Sequence, residues 1–320
     1  MSGKQDNFLK SFDGAEIFYR LWDKVEKPKG VFMIIHGMVE HTGRYEDFAK
    51  FLNKNGYIVF AWDLRAHGKT AGEPNKVGKY AGDLFADCVE DAIFFADMLL
   101  KKYKLPLIVF GHSYGSFVLQ SFIQQYNEHS MAIFSGSANM KKSGSVGMGL
   151  IVAKMSRFFM GKDAPAHMIY KMSFQEYGKD FPKGNWLTRD DEIWTKYNND
   201  PFCGNVCSTN FYCSMFENLK RLYIPENLQN IDKNIPLLIV SGALDPVGKQ
   251  GLLPTQLKKL YDGQGIKEVQ LNLFKDCRHE ILNETNKAEI WKYIVDFCNS
   301  HISKKPTKKA TPKKKSQSKK

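Results

Sequence analysis

The chain has no apolar run approaching the roughly 18–20 residues that a membrane-spanning helix needs, which argues against a helical membrane protein. Its opening stretch shows no continuous apolar segment behind a basic start, so no secretory leader is expected. Cysteine is scarce, six in 320 residues. Without an export signal, the expectation is reduced thiols in a cytoplasmic compartment, not a disulfide framework. Cys203, Cys207 and Cys213 cluster, but no nearby histidine completes a zinc spacing, so no metal is expected. There is no internal repeat. Nine of the +12 formal charges are lysines in residues 304–320, Lys304 and Lys320 included, where no acidic residue stands. Basicity is therefore a property of the tail, and the rest of the chain is nearly balanced. The tail after Ser303 is rich in Lys, Pro, Thr and Ser and should be disordered. Such a tail can hold an anionic membrane at about 1 kcal/mol per residue, bind nucleic acid without specificity, or simply stay solvated. It lacks aromatic residues for base stacking, so specific nucleic-acid recognition is not expected. Nothing in the sequence fixes an oligomeric state.

What is present is core material: 43% apolar and 13% aromatic residues. Residues 16–22 read as a strand. The apolar run at 30–36 reads as a strand buried on both faces, 57–62 and 105–110 as buried strands, 131–135 as a short strand, and 236–241 and 269–274 as further strands. Helical spacing appears at 45–55, 83–102, 114–126, 253–261 and 287–302. Strands alternating with helices imply a mostly parallel sheet covered on both sides. The alternation stops between about 138 and 231 and then resumes. That block reads as a largely helical cap inserted over the C-terminal edge of the sheet, where ligands of open α/β sheets bind. The expected division is a core from 1–137 and 232–302, the cap at 138–231 and the tail at 303–320.

The sharpest local signal is Gly111-His112-Ser113-Tyr114-Gly115, the one G-x-S-x-G in the chain. It follows a buried strand and opens a helix, the setting of a nucleophile elbow. A serine hydroxyl needs a base, and the base an orienting acid. Of eight histidines, His279 follows the last strand and so stands at the same sheet edge as Ser113. His36, His67 and His112 belong to motifs or flank the serine, and His129, His167 and His301 fall on other elements. Asp245 follows the 236–241 strand and is the expected acid. Asp63 reads better as the organiser of a turn, and Asp276 lies too near His279 in sequence. Backbone N–H groups of Tyr114 and of Met38, in His36-Gly37-Met38, are the expected oxyanion hole.

The residues His36-Gly-Met-Val-Glu40-His41-Thr-Gly43-Arg44-Tyr45, the segment Asp63-Leu-Arg-Ala-His67-Gly68-Lys69, the elbow, Asp245-Pro-Val and His279-Glu280 together resemble the α/β-hydrolase superfamily. The likeness is to its monoacylglycerol lipase and lysophospholipase-like branch, from about Phe8 to Ile302. Chain order Ser113, Asp245, His279 is that of the superfamily's triad. Ala66 stands where the branch usually has glycine, and Lys69-Thr70 replaces a more usual x-Ser. The cap resembles the branch only faintly, at residues 199–202.

In the cap, Ile151, Met155, Phe158 and Phe159 fall on one helical face, and with Gly37 they are the candidate substrate contacts. The resemblance implies a lid over an acyl tunnel; the same stripe could equally be the cap's own core. The expected activity is ester hydrolysis through an acyl-enzyme, without metal or organic cofactor. The substrate implied by resemblance is a monoacylglycerol or lysophospholipid, with peripheral contact to anionic membrane through the tail. Two same-fold alternatives stay open: a small-ester carboxylesterase, or a peptidase whose cap acids (Glu176, Asp190, Asp191, Glu192) hold a free amine. A non-catalytic tethering protein acting through the tail is the alternative from another class.

Overall fold

The computed structural model describes residues 4–302, with the side chain of Phe174 left out. In chain order its strands are β1 (Lys4–Lys10), β2 (Glu16–Trp22), β3 (Gly30–Ile35), β4 (Tyr57–Trp62), β5 (Leu107–His112), β6 (Met131–Ser135), β7 (Leu237–Gly242) and β8 (Val269–Phe274). Their order across the sheet is β1-β2-β4-β3-β5-β6-β7-β8. The β1–β2 and β2–β4 pairs are antiparallel, and every other neighbouring pair is parallel. All residues of β3 to β7 are buried, as a sheet covered on both faces requires. Helices Leu84–Tyr103, Tyr114–Gln125 and Leu252–Gly263 pack with one core cluster. Helices Glu46–Lys54 and Lys287–Ile302 pack with a second.

Two local departures from the sequence reading have physical causes. β1 is polar and mostly exposed, so no alternation announces it. It is held as an edge strand by its ladder to β2 and by the Phe8 ring against Phe18, 5.4 Å between centroids. β5 starts after Pro106, which has no N–H for the ladder, and runs through Gly111 to His112, up to the elbow.

Between β6 and β7, the described residues form helices and turns that add no strand to the sheet. The longest are Val146–Met160 and Thr209–Arg221, which meet through buried Val146, Leu150 and Ala153 on one and Phe211, Met215 and Phe216 on the other. This block roofs the carboxyl ends of the strands, because Gly37 after β3, Ser113 after β5 and His279 after β8 share one cavity with it. No helix of the described residues is long and apolar enough to cross a membrane. The lysine-rich stretch 304–320 lies outside the described residues.

Candidate active site

Ser113 sits between the end of β5 and the helix Tyr114–Gln125 with φ 50° and ψ −118°. Left-handed φ is costly for a residue with a Cβ and persists only where the surroundings enforce it. Here the Ser113 N–H donates to Ser135 O at the end of β6 (2.9 Å), and the Ser113 carbonyl accepts from the Ser116 N–H (2.8 Å) and hydroxyl (2.6 Å). The turn is so tight that a Cβ at Gly115 would lie 2.3 Å from the carbonyl oxygens of both Ile35 and His36. Glycine is therefore required for the helix to approach β3. Tyr114 is the first helical residue, so its N–H has no intrahelical acceptor.

His279 and Asp245 reach the same place from the far side of the sheet. The Asp245 carboxylate is fully buried and can only accept, so His279 Nδ1–H donates to its Oδ2 (2.9 Å). A second carboxylate oxygen accepts from the Val247 N–H (2.9 Å), which fixes the acid. The proton on Nδ1 leaves Nε2 as the basic nitrogen. It is buried with no hydrogen-bond partner among the described residues, and His279 borders the cavity that Ser113 borders. Burial disfavours the charged imidazole, but the Asp245 charge, its hydrogen bond and then Glu280 and Glu40 outweigh it, and the His279 pKa is raised. His112 lies beside it, ring centroids 4.9 Å apart; burial and the His279 charge push it down to about 4.

The loop after β3 closes the site. Gly37 is so near that a Cβ on it would lie 3.3 Å from Ser113 Cβ, and Met38 borders the same cavity. His36 ties this loop to the end of β4: its Nε2 accepts from the Leu64 N–H (2.9 Å) and its Nδ1–H donates to Gly37 O (2.7 Å). Asp63 accepts from the Thr42 N–H and hydroxyl and from the Lys69 N–H (2.8, 2.6 and 2.7 Å), which makes it a turn organiser. Burial holds His67 neutral, down to about 3.

The cavity holds about 350 Å³. Its walls are mostly apolar or aromatic, with Met148, Val152, Met172, Met215, Phe216 and Tyr177 among them and Ser145 and Ser173 the polar groups the cap contributes. Of the candidate substrate contacts, Gly37 borders it. Ile151, Met155, Phe158 and Phe159 do not: they lie on the outer face of the helix Val146–Met160, with Phe158 82% and Phe159 76% exposed. That helix is apolar around most of its girth, so helical spacing alone could not say which stripe faces inward. Met148 and Val152, one turn apart, border the cavity instead, Met148 while still 61% exposed. Also missed were Trp186, whose ring lies 5.1 Å from that of His279, and the ion cluster of Glu40, Arg44 and Glu280. Glu40, His41, Arg44 and Glu280 stand inside the quoted motifs, which gave no hint of their contacts.

Among the described residues one group of potential metal ligands gathers: His41, Asp200 and Cys203. His41 Nδ1 accepts from the Gly43 N–H (3.1 Å), so its Nε2–H donates to Asp200 Oδ2 (2.8 Å). The nitrogen and oxygen a cation would take are thus already paired, and burial pushes the Cys203 thiol up. All six cysteines are free and buried.

A family model described as serine aminopeptidase, S33 (Hydrolase_4) matches residues 26–286. The chain belongs to this family. A monoacylglycerol lipase of Mycolicibacterium smegmatis is 25% identical over 304 residues, covering 94% of this chain and 99% of that protein. A human monoglyceride lipase is 36% identical over 108 residues, 33% of this chain and 34% of the relative. Among solved structures, a carboxyl esterase from Bacillus coagulans superposes with a TM-score of 0.84 at 23% identity, covering 94% of this chain and 100% of that one. That likeness shows the fold, α/β-hydrolase.

Proposed function

We propose that this ester hydrolase cleaves single-chain lipid esters, monoacylglycerols or lysophospholipids, with Ser113, His279 and Asp245 as its triad. The observation that carries the reading is the cavity: a polar reacting end at Ser113 and His279, and walls rich in methionine, phenylalanine and valine suited to an acyl chain. Ser113 Oγ bonds to the acyl carbon while its proton passes to His279 Nε2. The Met38 and Tyr114 N–H groups hold the oxyanion. The tetrahedral intermediate expels the alcohol, which leaves with the proton from His279. Water, deprotonated by the same nitrogen, then breaks the Ser113 ester and frees the fatty acid. Residues 138–231 act as the cap that selects the chain. The relatives described as monoacylglycerol lipases support the substrate class.

The peptidase alternative draws on the family's description, but the cap acids do not favour it. Asp190 caps the helix Asp191–Asn199, Asp191 pairs with Lys183, Glu176 pairs with Lys179, and none of these borders the cavity. Peripheral contact with anionic membrane belongs to the same reading. Phe158 and Phe159 stand exposed beside Lys154, Arg157 and Lys162, and the lysines of 304–320 would add to the attraction.

The test is hydrolysis of p-nitrophenyl esters of increasing chain length and of a monoacylglycerol, wild type against Ser113→Ala. The expected result is a long-chain optimum that disappears in the variant by several orders of magnitude. A short-chain optimum would demote the substrate to small esters, and wild-type inactivity on every ester would overturn the reading.

A further inference from the structure

Two loops supply the chemistry proposed above, and one buried side chain bridges them. Glu40 Oε1 accepts from the Gly37 N–H (2.5 Å) and from the Tyr45 hydroxyl (2.7 Å), which pins the loop that carries Met38. Glu280 directly follows His279. Arg44 donates to both carboxylates: Nη1 to Glu40 Oε2 (2.7 Å), and a two-pronged fork to Glu280 (2.7 and 2.6 Å). The guanidinium also lies 4.9 Å over the ring of Tyr197 in the cap. All three charged side chains are 11% exposed or less. A planar, five-donor group fits this double duty, and a lysine ammonium does not. Two carboxylates share one cation, so loss of the fork leaves a buried charge that the loops must move to rehydrate.

We propose that Arg44 is a positioning residue for ester hydrolysis, holding the oxyanion loop through Glu40 and the base loop through Glu280. The inference rests on the Ser113 reading, and the experiment separates the two. The readouts are the rate at which a fluorophosphonate labels Ser113, counted per folded molecule, and kcat and KM on a soluble p-nitrophenyl ester. Arg44→Lys keeps the charge and breaks the fork. It should label about 10- to 100-fold more slowly, the cost of roughly 1 Å of misplacement, with the loss in kcat and KM nearly unchanged. Glu280→Gln, a milder change that keeps the shape, should lose less in the same way and serves if Arg44→Lys does not fold.

Arg65→Lys is the control. Arg65 makes a two-pronged fork to the buried Asp91 and a second to the part-exposed Asp13, away from both loops, so this variant should label at the wild-type rate. Wild-type protein that fails to label would bring down the Ser113 reading and this inference with it. Labelled wild type with an unimpaired Arg44→Lys, or with Arg65→Lys equally slowed, would overturn the role of Arg44 alone.

Discussion

The base role proposed for His279 requires the neutral ring, and its surroundings set where that holds. Burial works against its charge, yet Asp245, Glu280 and Glu40 raise its pKa above the usual 6.5. The acid limb of kcat/KM is therefore expected above pH 6.5, with activity lost as pH falls through the raised value. Asp245→Asn removes the strongest of the raising influences. The limb should move to lower pH, and the rate should fall by about 10⁴ because the imidazole loses the partner that fixes its tautomer. A pH–rate profile of the two proteins checks both effects, and an unmoved limb would mean that the Asp245 charge does not set the basicity. Gly136 gives a second test at the same residue. It has φ 57°, and a Cβ there would lie 2.9 Å from His279 Cε1. Gly136→Ala should destabilise by about 1–3 kcal/mol through backbone strain and lower kcat more than it alters KM. Melting and steady-state kinetics together would show it; unchanged kcat would mean that the ring has room to spare.

The helix Val146–Met160 shows what an element's pattern can and cannot say. Its sequence, VGMGLIVAKMSRFFM, is apolar on three sides. One side buries Val146, Leu150 and Ala153; on the opposite flank Met148 and Val152, in the N-terminal half, border the cavity, and Met155, Phe158 and Phe159, nearer the C-terminal end, face solvent. Periodicity marks a stripe at 151, 155, 158 and 159 but carries no information on which neighbour covers it. The strands were easier to read, since an apolar run ended by Gly or Pro has one compatible environment. The residues at the cavity and those facing solvent make separable predictions. Phe158→Ser with Phe159→Ser touches no core residue, so stability should stay within about 0.5 kcal/mol, and hydrolysis of soluble esters should persist. Co-sedimentation with anionic vesicles and hydrolysis of vesicle-borne monoacylglycerol should fall. Val152→Trp should do the reverse: vesicle binding retained and the chain-length optimum shortened. Vesicle binding unaffected by the double change would rule out this face as the contact.

Across the whole molecule, legibility tracks sequence distance. Ser113 and Asp245 follow apolar strands and His279 follows the mixed strand β8, so local pattern alone assigns them to one sheet edge. Arg44 and Glu280 are 236 residues apart, and no local pattern joins them; only the closure of β3 and β8 into one sheet does. Their cluster should nonetheless govern how the fold responds to acid. Burial alone would raise the Glu40 pKa, but Arg44, then His112, His36 and the Tyr45 hydroxyl, hold it at about 2 against the usual 4.5. Glu280 is lowered in the same sense by Arg44. A carboxylate depressed in the folded state favours folding fully above its unfolded pKa, because below it the unfolded chain takes up the proton first. Stability should therefore be complete above about pH 4.5 and drain away as pH falls toward 2. Glu40→Gln should be less stable at pH 7, since it leaves Arg44 with one partner, and should lose less on acidification. Urea midpoints of both proteins between neutral and acid pH measure this, and parallel declines would show that the acid response arises elsewhere.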